Sequence, residues 1–190
     1  MATVKRPRGV AGVVASFVLA AALLAAPAQQ GAAQAFDEYQ LKAVYLFNFA
    51  QFVEWSGGAV QSDTPFVICV LGDDPFKGFL DETVRGETIN NRAFLVQRYR
   101  KREDIDRCDI LFVSHSETAR LPDILAAVKG RGILTVSDAE DFARSGGMVQ
   151  FVTENRRIKL KINVDEARAA NLTISSKLLR PAEIVSSQGG

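Results

Sequence analysis

The stretch PFVICVL (65–71), followed by GDDP (72–75), decides how the chain is read. Phe66 to Leu71 is a short, continuous apolar run rich in β-branched side chains and bounded by turn residues. That is the pattern of a central strand buried on both faces. Gly72-Asp73-Asp74-Pro75 turns the chain, with Asp74 placed to cap the next helix and Pro75 at its first position.

Two further buried strands announce themselves downstream in the same way, Ala93 to Val96 and Asp109 to Ser114, and Gly132 to Val136 reads as another. Between and after them lie helical stretches, notably Glu117 to Lys129 and a short one over Asp138 to Arg144, closed by Gly146-Gly147. Strands alternating with helices predict a three-layer α/β/α fold with a mainly parallel, Rossmann-like sheet. The pattern changes at Met148. Met148 to Thr153 and Arg156 to Val164 flank Glu154-Asn155 and read as an antiparallel hairpin. In its second arm Ile158, Leu160 and Ile162 alternate with Arg157, Lys159 and Lys161, so one face is core and the other a positive stripe. The stripe either protects a sheet edge or meets an acidic partner. Asp165 to Ala170 supplies another helical turn or two, Leu172 to Ser175 an extended piece, and Ser176 to Val185 a last helix bent near Pro181.

Upstream, Phe36 to Trp55 (FDEYQLKAVYLFNFAQFVEW) holds seven aromatic residues with no Gly or Pro to interrupt a helix, and Gly57-Gly58 ends it. This helix is apolar nearly all round and is expected to be buried on most sides. Part of its surface is the alternative docking face, for a partner or for a second copy in a homodimer.

The first 35 residues are different material. Lys5, Arg6 and Arg8 precede an uncharged run from Gly9 to Ala26, and the segment ends in Ala33-Gln34-Ala35. A basic start, an apolar centre and an A-x-A exit predict a signal peptide over 1–35, with a membrane anchor as the rival, and a single domain over 36–190. Removing Lys5, Arg6 and Arg8 takes the 23 basic groups of the 190-residue chain to 20 against 22 acidic. A net charge of +1 thus becomes −2 in the mature chain, which argues against nucleic acid as a partner.

One histidine and two cysteines cannot assemble a four-ligand Cys/His zinc site. No Gly-x-Gly-x-x-Gly, phosphate-binding loop or Gly-x-Ser-x-Gly elbow is present, so the expectation is no cofactor, no metal and no enzyme. The competing class is a small-ligand binder or hydrolase at the carboxyl edge of the sheet. It would use Ser114-His115-Ser116 with Asp73 and Asp74, and those two aspartates could also hold Mg²⁺. Turn and cap chemistry explains the aspartates with fewer assumptions. Arg98, Arg100, Lys101 and Arg102 are followed at once by Glu103, Asp104 and Asp106, which reads as a solvated turn with internal pairing. Asn171-Leu172-Thr173 matches a glycosylation acceptor, relevant only in a eukaryotic secretory pathway. Cys69 and Cys108 fall on strands that could be neighbours. Export favours a disulfide over two inert thiols, and a bridge of this span is worth roughly 4 kcal/mol.

Several segments in one order resemble the YfiR family of bacterial periplasmic proteins. They are Glu38 to Ala43 leading to Phe49 and Phe52-Val53-Glu54-Trp55; Pro65 to Phe76; Cys108 to Phe112; Leu134 to Asp138; Gly146-Gly147-Met148; and Ile174 to Arg180. The resemblance implies a non-catalytic, periplasmic repressor. The named member binds the sensor domain of an inner-membrane diguanylate cyclase, lowers cyclic-di-GMP and biofilm output, and is sequestered by an outer-membrane lipoprotein. Cys69 and Cys108 stand where the family carries one disulfide; a second pair in the C-terminal half of that member is missing here. The expected partner contacts are Arg157, Lys159 and Lys161, together with Lys177, Leu178 and Arg180, which mix cationic and apolar groups as interfaces do.

Overall fold

The computed structural model describes residues 1–3, 28–56 and 64–187. Most of the expected leader, and Gly57-Gly58, lie outside the described residues. Among the described residues no helix is long and apolar enough to cross a membrane.

In chain order the elements are α1 (Ala28–Phe52), β1 (Val53–Trp55), β2 (Phe66–Leu71), α2 (Phe79–Val84), β3 (Thr88–Ile89), β4 (Arg92–Tyr99), β5 (Ile110–Val113), α3 (Leu121–Val128), β6 (Leu134–Ser137), β7 (Val149–Glu154), β8 (Arg157–Asn163), α4 (Val164–Ala169), β9 (Leu172–Ile174), α5 (Ser176–Leu179) and β10 (Glu183–Val185). Eight strands form one mixed sheet in the order β10-β8-β7-β6-β5-β2-β4-β3. Neighbours from β4 through β7 run parallel, β7 and β8 are antiparallel, and β10 joins β8 in parallel.

The apolar run that decided the reading is an interior strand of this sheet, between β5 and β4. Every residue of β2 is buried, and its side chains divide between two cores. Phe66, Ile68 and Val70 face a core built with α1, α2, α4 and α5, whereas Val67, Cys69 and Leu71 face a second one built with α3. A strand buried on both faces can place no polar side chain on either, which is why its sequence does not alternate.

Several expectations change. The aromatic helix ends at Phe52, because Val53 to Trp55 pair as a strand with Leu172 to Ile174. It is buried on most sides, as expected, with Leu41 and Val44 left 46% and 42% exposed. Strand β4 is longer than expected and only half buried, with Leu95 exposed, since the β4 to β5 connection brings just a 3-10 turn at Arg102–Asp104. Residues 139–146 form turns rather than a helix. There the Gly147 N–H donates to the Phe142 carbonyl, and the ring of Phe142 occupies the space where a Cβ on Gly147 would stand. The expected C-terminal helix is only α5; the chain then extends as β10 and covers the edge of β8 that the lysines were expected to protect.

The hairpin is present but turns one residue later than expected. Glu154 pairs with Arg157, leaving Asn155 and Arg156 as the turn, both at positive φ as a type I′ turn requires. Asn90 and Asn91 make the same turn between β3 and β4, a hairpin not anticipated from the sequence.

Candidate functional site

The carboxyl ends of the parallel strands carry three loops: Gly72-Asp73-Asp74 after β2, Ser114-His115-Ser116 after β5, and Asp138 after β6. Strand order reverses between β2 and β5, the switch point where open α/β sheets usually leave a crevice. Here that crevice is filled from within. The Asp73 N–H donates to the Ser116 hydroxyl at 3.0 Å, and Gly72, at φ +93°, lies against Ser116 and the buried Glu117. A side chain at Gly72 would have no room.

The two aspartates are committed as well. Asp74 Oδ1 accepts from the Phe76 N–H at 2.8 Å, and its Oδ2 accepts from Arg98 Nε at 2.6 Å. Asp73 pairs with Arg100, and Arg98 also grips Asp81. The Arg98 guanidinium holds the Asp81 carboxyl below the usual carboxylate range. Arg98 and Arg100 thus pair with carboxylates that precede them in the chain, and only Arg102 pairs inside the expected turn, with Glu103. Asp74 does cap the backbone, but helix α2 starts only at Phe79, beyond Pro75.

His115 parts company with Asp73 and Asp74. It lines a cleft of about 250 Å³ one strand further along the edge, with Glu38, Tyr39 and Lys42 of α1, Asp138, and Phe151 and Thr153 of β7. The Ser114 hydroxyl accepts from the Ser116 N–H, and neither serine lines this cleft. At its floor Lys42, 2% exposed, sits between Glu38 and Asp138 with Nζ 2.6 Å from an oxygen of each. The ammonium lies 4.4 Å from the Tyr39 ring centroid. Tyr39 donates its hydroxyl to Asp138 Oδ2 at 2.8 Å, and Thr153 donates to Glu38 Oε1 at 2.8 Å. Burial, then the charge of Asp138, pushes the Tyr39 phenol above its ordinary value. Asp138 Oδ1 is buried with no hydrogen-bond partner. Sequence reading missed this cluster, although Glu38 and Lys42 stand one helical turn apart at the start of an otherwise apolar stretch, which is a legible signal.

The expected partner contacts separate into two groups. Lys159, Lys161 and Arg180 come together around a cleft of about 370 Å³ with Pro181 and Ala182. Lys159 pairs with Glu154 at 2.6 Å, and Lys161 lies 4.0 Å from Glu183. Arg157 and Lys177 are exposed outside that cleft. Leu178 is corrected: it is 7% exposed and packs in the α1-side core, because the short helix α5 turns it inward. At the opposite end of the sheet, Cys69 and Cys108 form a disulfide with their Cα atoms 6.0 Å apart. Beside it Arg92, 6% exposed, holds Asp109 and the carbonyls of Thr64 and Pro65.

A model of the YfiR/HmsC-like family matches residues 39–183, most of the chain and nearly all of the sheet. The chain belongs to the YfiR/HmsC-like family. Comparison with curated proteins gives no match. Among solved structures, this family member is similar to the ABC domain in complex with L-Trp from Streptococcus pneumonia, at 12% identity and a TM-score of 0.52, over 77% of this chain and 60% of that one. It is also similar to a conserved domain protein from Vibrio cholerae O1 biovar El Tor, at 9% identity and a TM-score of 0.54, over 77% and 59%. The chain therefore spans about six-tenths of the length of either structure, and at these identities the likeness establishes the α/β fold alone.

Proposed function

We propose that this YfiR/HmsC-like protein is a non-catalytic periplasmic regulator that binds the periplasmic sensor domain of an inner-membrane diguanylate cyclase and represses it, lowering cyclic-di-GMP. The family match over residues 39–183 carries this reading. The disulfide supports an exported protein, since such bonds persist in oxidising compartments. Repression of this kind requires only a difference in affinity for two states of the sensor, and no chemistry. The grouped cations Lys159, Lys161 and Arg180, with exposed Arg157 and Lys177, offer an acidic sensor surface a set of anchors. An outer-membrane lipoprotein competing for the same protein would relieve repression.

The test is capture from membranes of the producing bacterium, by cross-linking a tagged copy in the periplasm, together with deletion of its gene. A diguanylate cyclase in the captured fraction, and higher cyclic-di-GMP on deletion, are expected. Unchanged cyclic-di-GMP on deletion would overturn the reading. The second reading, small-ligand binding at the carboxyl edge, is favoured by one observation, the cleft that holds His115 beside Lys42 and Asp138. The pair of aspartates first considered for it is occupied by Arg98 and Arg100.

A further inference from the structure

Strand β4 is left open along part of its length. Its neighbour β3 is two residues long and pairs with Arg92 and Ala93, and the Phe94 N–H donates to the Glu87 carbonyl at 3.3 Å. On its other side β4 lies parallel to β2 from Phe94 to Tyr99, where the Tyr99 carbonyl accepts from the Gly72 N–H at 2.9 Å. Main-chain groups alternate sides along a strand, so Leu95, Gln97 and Tyr99 serve β2, whereas the N–H and carbonyl of Val96 and of Arg98 point away from it. Among the described residues nothing bonds these four groups. Edges are usually blunted by shortness, proline or a bulge. The opposite edge, β10, is three residues long, but the open part of β4 is continuous strand without a proline. The same stretch is bare on one face. Leu95 is 42% exposed although Val67, beside it on β2, is 1% exposed, because the link from β4 to β5 carries only a 3-10 turn.

We propose that the edge of β4 from Phe94 to Tyr99 takes up an extended segment of another protein as an added strand, apolar beside Leu95 and acidic where it reaches Arg100 and Lys101. The open groups dictate the conformation of the occupant. A donor and an acceptor recur at every second residue, about 7 Å apart, and an extended backbone is what offers partners at that spacing. The side chains that flank the edge set the rest. Leu95 supplies an apolar neighbour, and just past the strand stand the exposed cations Arg100 and Lys101. Arg100 pairs with Asp73 where both side chains are 76% exposed, so water screens that pair and an incoming carboxylate can share the guanidinium. A second copy fits less well, because antiparallel pairing of two β4 edges would set Arg100 of each chain against the Glu87–Phe94 bond of the other. The edge lies at the opposite end of the sheet from β8 and β10, so the proposal does not rest on cyclase repression.

The probe is a capped peptide, acetyl-Thr-Val-Thr-Val-Thr-Glu-Glu-amide, titrated into the full mature protein labelled with nitrogen-15. Saturable shifts of the backbone amides from Phe94 to Tyr99 are expected, with hydrogen exchange at Val96 and Arg98 slowed at least about tenfold at saturation. Val96→Pro removes an N–H that faces away from β2 and leaves the β2 ladder intact, a position where a strand tolerates proline. Its Tm is expected to stay close to that of the wild type while the shifts disappear. Should that variant unfold, the same peptide N-methylated throughout its Thr-Val core keeps every side chain, loses the main-chain donors, and is expected to leave the wild-type amides in place. No saturable shift with the unmethylated peptide, or equal shifts with the methylated one, would overturn the proposal. So would a wild-type dimer in sedimentation that Val96→Pro converts to a monomer, since a second copy would then hold the edge. None of these outcomes bears on whether a cyclase is captured from membranes.

Discussion

The ammonium of Lys42 lies 2.6 Å from the carboxylate of Asp138, joining the middle of the first helix to the end of strand β6 across 96 positions of sequence. An ion pair this buried is a poor source of net stability, but removing one partner strands the other. Lys42→Met is therefore expected to cost about 3 kcal/mol. Lys42→Met with Asp138→Asn is expected to recover much of that loss. Urea denaturation of the three proteins checks it, and a neutral single variant would show that water reaches the pair.

Tyr39 donates to that same carboxylate, and its phenol is raised above its ordinary value by burial and by Asp138. A folded-state pKa above the unfolded one favours the protonated fold. The stabilisation is complete below the unfolded value of about 10 and declines as pH rises above it. In the 295 nm absorbance titration, Tyr39→Phe is expected to remove nothing from the change near pH 10. It should instead remove amplitude only where the protein unfolds in alkali. Lost amplitude near pH 10 would contradict the buried hydrogen bond.

The disulfide closes a loop with a sequence separation of 39, which on the chain-entropy account is worth roughly 4 kcal/mol. Cys108→Ser is the cleaner probe, because Cys69 is wholly buried and a serine there would add an unpaired hydroxyl. A lower Tm is expected, matched by the wild-type protein in reductant, with a fall in cellular level. Equal Tm values would show that the bridge adds nothing to the stability of the fold.

Lys159 of β8 and Arg180, between α5 and β10, border one cleft, and Lys159 is 61% exposed even while paired with Glu154. Exposed pairs contribute little, so Lys159→Glu with Arg180→Glu is expected to change stability by less than about 1 kcal/mol. If this surface receives the sensor domain, the same variant captures less cyclase from membranes. Undiminished capture would place the interface elsewhere, with the exposed Leu41 and Val44 of α1 as the next candidates.

A Cβ on Gly147 would fall 2.2 Å from the ring of Phe142, a buried residue of the second core. Gly147→Ala is expected to destabilise by about 1–3 kcal/mol as the ring is forced aside. Phe142→Leu in that background should return part of the loss. The melting temperatures of the two variants decide the point.

What the sequence determined by itself is whatever depends on local pattern. The unbroken run Phe66 to Leu71 reads as a strand covered on both sides, and it is one, lying inside the sheet between β5 and β4. The alternation of Ile158, Leu160 and Ile162 with basic residues fixed the hairpin arm and its faces. The order of several quoted segments pointed to the family that the match over 39–183 establishes. Tertiary structure decided what depends on partners far apart in the chain. Val53 to Trp55 leave the helical pattern for a strand because Leu172 to Ile174 lie alongside, and Glu183 to Val185 become a strand because β8 offers a free edge. The same reason hid the cleft. Glu38, Tyr39 and Lys42 read as the polar start of an apolar helix, and Asp138 as the end of a strand, until packing α1 across the sheet brought one ammonium between two carboxylates. Asp73 and Asp74 read as turn and cap residues, and only the tertiary structure pairs them, with Arg98 near the end of β4 and Arg100 just beyond it.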